Sequence, residues 1–303
     1  MRRKGVFRNE NGNVAVLMAL SMTMLIGFVA LAVDGGLALL ERSRLQRAAD
    51  AAALAGVIEL PERPEQAAEH ARNAAAMNGV DASAVNVAFS EDRRDISVTA
   101  RRSVPFYFAP VLGVNAAEMH AAATARIAPL SSGFGAVPLG VEHTTSLTFG
   151  TRVALKVGAS AAPGAFGALV LSGTGASNYE NDLREGYPQL LRTGTVLDTQ
   201  TGNIAGPTKR AADEIIARCP SATYLDYPID CARAVLVPMV RPIVADNQVK
   251  QVVVTGFATF FIESVSSTSA GAEVIGRFIR RTASGEVGDD APNYGTFGTR
   301  LIR

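Results

Sequence analysis

The chain has 303 residues, enough for about two domains of ordinary size, and 48% of them are hydrophobic, so it can bury a core and is not globally disordered. The 29 Lys and Arg nearly balance 28 Asp and Glu, but Arg2, Arg3, Lys4 and Arg8 crowd one end, leaving a slightly acidic body with no electrostatic reason to bind nucleic acid. Two cysteines, Cys219 and Cys231, are too few for a disulfide scaffold and form no CxxC pair.

In chain order, residues 1–13 read as a basic cytoplasmic tail. Val14 to Val33, VAVLMALSMTMLIGFVALAV, then carries no charge over 20 residues. At about 1.5 Å per residue this helix spans about 30 Å, the thickness of a bilayer's hydrocarbon. Ser21 and Thr23 can bond back to their own helix. The basic cluster before the span, with Asp34 and Glu41 after it, predicts a bacterial plasma-membrane protein. Its N-terminus is inside and everything past Asp34 outside. Ala30-Leu31-Ala32 offers a signal-peptidase pattern, but the helical pattern runs on without a break, so a retained anchor is expected. Gly5 and Glu10 have the spacing of a prepilin-peptidase site. Polar Asn11-Gly12-Asn13 follows, and the spacing reads as coincidence. Asp34 is expected at the outer interface; if Leu37 to Leu40 also enter lipid, it needs a partner on another helix.

The helix is expected to continue outward from Glu41 to Leu60, free of proline, with Leu45, Ala49, Ala52 and Gly56 forming a stripe of small residues. Glu41 with Arg44, and Arg47 with Asp50, have pairing spacing. Pro61 and Pro64 break the run, and Pro64 opens a second helix that ends near Asn78 before Gly79. Two small-residue faces fit an αα-hairpin within the chain or an oligomer between chains. The run Gly12 to Leu17, then GFVALAVD from Gly27 to Asp34, then RSRLQRAADAAALA from Arg42 to Ala55 resembles the N-terminal segment of TadE/TadG-like Flp pilus-assembly proteins. The resemblance covers about the first sixty residues. It implies a membrane-anchored accessory protein of a tight-adherence pilus, partnered by the bilayer, by other assembly or envelope proteins, or by its own copies. It brings no catalytic residues.

Val85 to Phe89 and Ile96 to Arg101 alternate as a strand pair joined by a charged turn, and Met119 to Ile127 reads as a third strand. Val104 to Val114 is an aromatic, proline-broken connector in which Phe106-Tyr107-Phe108 are expected to pack into the core rather than touch headgroups. This order lays two helices on a small antiparallel sheet, a pilin-like head over residues 34–128. Pro129 to Gly133 looks like the boundary. Beyond it, residues 129–303 read as a β-rich α+β domain, with a partly closed barrel as one form it could take. Strands are expected at 137–141, 151–157, 165–171, 233–240, 249–265 and 274–280, and helices at 178–185 and 208–218. The fold class is α+β throughout.

No catalytic, metal or cofactor site is expected. His70, His120 and His143 are scattered and lack partners at ligand spacing. Asp95-Ile96-Ser97-Val98-Thr99 superficially resembles the metal motif of a von Willebrand A domain, but reads as a strand. Gly173-Thr174-Gly175 lacks the rest of a phosphate loop. Gly164 to Gly167 and Asn293 to Gly298 read as turns with an aromatic plug. Asp226, Asp230 and Asp246 are candidate calcium ligands in an outer loop but lack EF-hand spacing. Cys219 and Cys231, both on the outer side, are expected to close a disulfide around Pro220 to Asp230. The competing functional class is a membrane-tethered extracytoplasmic enzyme or ligand binder with its site in residues 133–303.

Overall fold

The computed structural model describes residues 10–157, 167–200, 204–245, 248–268 and 271–302. Residues 1–9 of the basic tail, Gly164-Ala165-Phe166 and Asp246 lie outside the described residues. The chain begins with α1 (Glu10–Val57), one unbroken helix of 48 residues, followed by α2 (Pro64–Met77). Next come β1 (Val85–Phe89), β2 (Asp95–Pro105) and β3 (Ala116–Pro129). The second half holds β4 (Ser132–Gly133), β5 (Val141–Glu142), β6 (Arg152–Val157), α3 (Ala176–Glu185), β7 (Leu191–Arg192), β8 (Val196–Asp198) and α4 (Ala205–Ala217). It closes with β9 (Ala234–Ala245), β10 (Gln248–Thr268), β11 (Gly271–Ile279), β12 (Arg281–Thr282) and β13 (Thr296–Ile302).

Two main sheets organise these elements. The first has the order β1-β2-β3-β13-β12, antiparallel except for the parallel β12–β13 pair. Its edge beside β3 is therefore completed by the final strand, with Phe297 opposite Pro129 and Ile302 opposite Thr124. The second has the order β5-β9-β10-β11-β6, with β8 added to the outer end of β10. Bulges in β10 at Val249/Gln251, Val254/Gly256 and Ile262/Ser264 bend this long strand, and the sheet curls into a half-barrel.

Side-chain size explains the first core. In β2, Ile96, Val98 and Ala100 face inward while Ser97 and Thr99 face the other way. In β3, Ala121, Ala123, Ala125 and Ile127 share the inward face. This alanine floor lets α1 approach closely, and Ala48, Ala49, Ala52 and Ala53 of α1 are fully buried against it together with Ala67, Ala71 and Ala75 of α2. The second core lies between the half-barrel and the α3–α4 pair. Phe260 and Phe278 meet there edge to face at 5.1 Å. Tyr179, fully buried on α3, donates to Thr208 Oγ1 at 3.0 Å, whose own hydroxyl donates to Ile204 O at 2.8 Å.

β9 runs straight through Pro238, Arg241 and Pro242, a stretch the sequence reading ended at Val240. Leu236 and Val240 aim their carbonyls away from β10, accepting from Val137 and His143 at 2.8 Å. Pro238 and Pro242 share that parity, so their missing N–H groups fall on the side away from β10, where the β9–β10 ladder needs no donor. α4 likewise starts at Ala205 rather than Thr208, because Pro207 in a first turn needs no N–H partner.

Candidate functional site

The outer end of the apolar part of α1 is where the chain's unusual features meet. From Val14 to Leu40 the helix is almost wholly exposed: Met18 and Leu31 are each 72% exposed, and Leu39 is 70%. Among the described residues α1 is the one helix long and apolar enough to cross a membrane. The exception in this stretch is Asp34, which is 5% exposed. Its Oδ1 accepts from the backbone N–H of Tyr107 at 2.9 Å, and its Oδ2 from those of Phe108 at 3.0 Å and Ala109 at 2.7 Å. Asp34 was expected at the outer interface, or against another helix if Leu37 to Leu40 also enter lipid. Its partner is instead the connector between β2 and β3.

Three contacts fix the direction of that β2–β3 hairpin along α1. Gln46 Nε2 donates to Ala122 O at 3.1 Å, Arg102 Nη1 to Glu41 Oε2 at 3.0 Å, and the loop amides to Asp34. From Gln46 back to Asp34 is about 18 Å of helix, so the hairpin runs down α1 and its tip reaches the apolar segment. Burial pushes the Glu41 carboxyl up, but hydrogen bonds from Arg44 and Arg102 outweigh this and hold it below the usual carboxylate range. Arg44 pairs with Glu41 at 2.5 Å, whereas Arg47 bonds Ser43 rather than Asp50, which is bonded by Gln46.

The tip is built inside out. Tyr107 and Phe108 do not pack into the core, and Phe106 is half-buried. Their amides turn toward Asp34 or across the loop, so the side chains of Tyr107 (73% exposed) and Phe108 point outward. Val111 and Leu112, 89% and 84% exposed, extend the same surface. The sequence carried one hint, the uncharged aromatic run from Val104 to Val114. Its long-range tie to Asp34 left no local signal.

The small stripe of α1 is filled from within the chain. Leu45, Ala49 and Ala52 are fully buried, and Gly56 lies where α1 crosses both α2 and β2. Cys219 and Cys231 are joined, with Cα atoms 5.8 Å apart. Arg233 holds the loop they close against β10: it donates to Cys219 O at 3.2 Å, Ala222 O at 2.8 Å and Ile262 O at 2.8 Å.

Other candidates have local explanations. Asp95 takes a two-pronged bond from Arg126, both at 2.6 Å, and Ser97 pairs with Thr124. Gly173 to Gly175 form the turn into α3, where Asp182 accepts from Ser172. Tyr294 plugs the space over Gly256, and Asn293 caps the turn at Gly295. His70 stands 3.4 Å from Glu59, a through-space pairing that sequence spacing did not reveal. Among the described residues, no three His, Cys, Asp or Glu side chains are grouped to hold a metal. A cleft of about 670 Å³ lies between the head and the second body. It is lined by one carboxylate, Glu185, already paired with Arg218 at 2.5 Å.

The fold thus defines an α+β protein carried on one long helix suited to a membrane. Residues 12–88, about a quarter of the chain, match the family model Tad, Flp pilus-assembly TadE/G-like. The match spans nearly all of α1, the whole of α2 and most of β1, and associates this segment with Flp pilus assembly. No curated protein matches the chain, and no solved structure does.

Proposed function

We propose that this protein is a membrane-anchored accessory component of a Flp-type pilus or a related surface-assembly system, acting by binding rather than by catalysis. The observation that carries the reading is the family match over residues 12–88, which joins the exposed apolar helix to its helical hairpin. The basic residues ahead of Val14 support an orientation with residues 1–13 in the cytoplasm and the head and half-barrel outside. The partners are then the bilayer and other pilus or envelope proteins. The test is deletion of the gene in its host, with surface filaments counted by electron microscopy and the machinery recovered by affinity isolation of the tagged full chain. Loss of filaments, restored by the wild-type chain, together with recovery of pilus-assembly proteins, is expected. Normal filament numbers and no such proteins in the isolate would overturn the proposal.

A further inference from the structure

The β2–β3 loop has the construction of a segment made for a medium of low polarity. From Val104 to Ala117 the sequence carries no charged residue. Seven of its backbone donors are bonded within the chain. Phe106 donates to Asn115 O, Tyr107, Phe108 and Ala109 to Asp34, Val111 to Phe108 O, Gly113 to Pro110 O and Val114 to Ala109 O. With these amides satisfied, apolar side chains face outward: Tyr107, Phe108, Val111, Leu112 and Val114 are all exposed. Lipid-exposed irregular backbone does not enter the hydrocarbon itself, so a loop of this kind suits the interfacial layer, where its remaining carbonyls still meet water and headgroups.

Position singles out the occupant. The loop is tied to α1 at Asp34, directly after the uncharged Val14 to Val33 span. Apolar, exposed Leu39 and Leu40 continue the helix beyond it, and the first charges after Asp34 are Glu41 and Arg42. Val14 to Val33 measures about 30 Å of helix, the hydrocarbon thickness, and the apolar run on to Leu40 adds about 10 Å, the depth of one interfacial zone. With Val14 to Val33 filling the hydrocarbon and Gly35 to Leu40 lying in the outer interfacial zone, Asp34 sits at the outer interface with its charge met by three amides, and the loop lies at the same depth. Aromatic side chains favour this layer.

We infer that residues 106–114 form a second membrane contact, dipping into the outer leaflet beside α1, so that the head is held against the bilayer at two points. The inference rests on α1 crossing the membrane, and the experiment separates the two claims. Single cysteines are introduced in the full chain at Leu25, Met77, Val111 or Leu112. The wild type, whose two cysteines are bonded to each other, serves as the unlabelled control. Each variant carries an environment-sensitive fluorophore and is reconstituted into phosphatidylethanolamine–phosphatidylglycerol vesicles with nitroxide placed near the headgroup or at mid-chain.

Quenching at Val111→Cys and Leu112→Cys is expected to be stronger with the shallow nitroxide, as for a group about 5–10 Å deep. Leu25→Cys should respond more to the mid-chain nitroxide, and Met77→Cys, on the exposed end of α2, to neither. If both loop probes behave like Met77→Cys while Leu25→Cys is quenched, the loop inference falls and the anchor stands. Loop probes shielded from aqueous iodide but unquenched by lipid nitroxide would mean a protein partner or second copy covers the loop, which also overturns it. If Leu25→Cys is unquenched, the anchor reading fails and the loop inference with it.

Discussion

Gly56 is where α1, α2 and β2 come closest, and filling it tests whether the small face of α1 is a seam inside the chain. A Cβ at that position would collide with Ile96 Cδ1 and stand 2.7 Å from Ala67 O and 3.1 Å from Ala71 Cβ. Ile96, Ala67 and Ala71 are fully buried, and Ala67 O belongs to the backbone, so nothing there yields by swinging outward. Overpacking of this kind costs about 1–3 kcal/mol. Alanine in place of glycine in a helix interior gives back about 1 kcal/mol. Gly56→Ala is therefore expected to lose up to about 2 kcal/mol net, and Gly56→Leu, with three further carbons in the same space, should lose more. Hydrogen exchange of α2 peptides in the detergent-solubilised full chain reads the effect locally; a loss of about 2 kcal/mol speeds exchange by about 30-fold. Ile96→Val, which removes the clashing Cδ1, costs about 0.5–1.5 kcal/mol alone. In the Gly56→Ala background it should cost less, with a coupling of at least about 0.5 kcal/mol. Slower α2 exchange in Gly56→Ala, with an additive cycle, would refute this packing argument.

Other perturbations reach the remaining contacts. Asp34→Ala removes the acceptor of three loop amides, so exchange at Tyr107 to Ala109 should rise sharply; unchanged protection would mean that the loop holds its shape without Asp34. Glu41 and Glu180 have carboxyls held below their ordinary value of 4.5. At Glu180 the largest cause is the hydrogen bond from Arg210, which outweighs burial. Such groups contribute stability that is complete above the unfolded value and lost as pH falls through the folded one. The melting temperature should therefore hold from pH 7 to about 5 and fall below about 4.5, and a fall that begins above pH 6 would point to other groups. Protein alkylated during purification should show no free thiol, and Cys219→Ser with Cys231→Ser should cost about 2–3 kcal/mol in a denaturant titration. Two titratable thiols in the wild type would contradict the bond.

What could be read from the sequence was local. An uncharged run of bilayer length, alanines at helical spacing before Pro61 and the alternation of Val85 to Arg101 each carry their own geometry, and α1, α2 and the β1–β2 hairpin follow from them. What could not be read was set by partners far along the chain. The place of β13 beside β3 depends on pairing residues such as Ile302 and Thr124. The passage of β9 through Pro238 and Pro242 depends on which side of the strand pairs with β10. The burial of Asp34 depends on amides more than seventy positions away, and no local pattern distinguishes an aspartate capped in this way from one in water. The outward turn of Tyr107 and Phe108 follows from that same contact, which is why an aromatic cluster read as core lies on the surface.

The central claim is that α1 crosses the membrane once and delivers the head to the outer side. Single-cysteine variants Asn11→Cys, ahead of the apolar span, and Met77→Cys, on the exposed end of α2, test it with a membrane-impermeant maleimide applied to intact spheroplasts. The account predicts labelling of Met77→Cys in intact spheroplasts and of Asn11→Cys only after lysis. Labelling of Asn11→Cys with protection of Met77→Cys until lysis would invert the topology, and equal labelling of both without lysis would remove the membrane crossing itself.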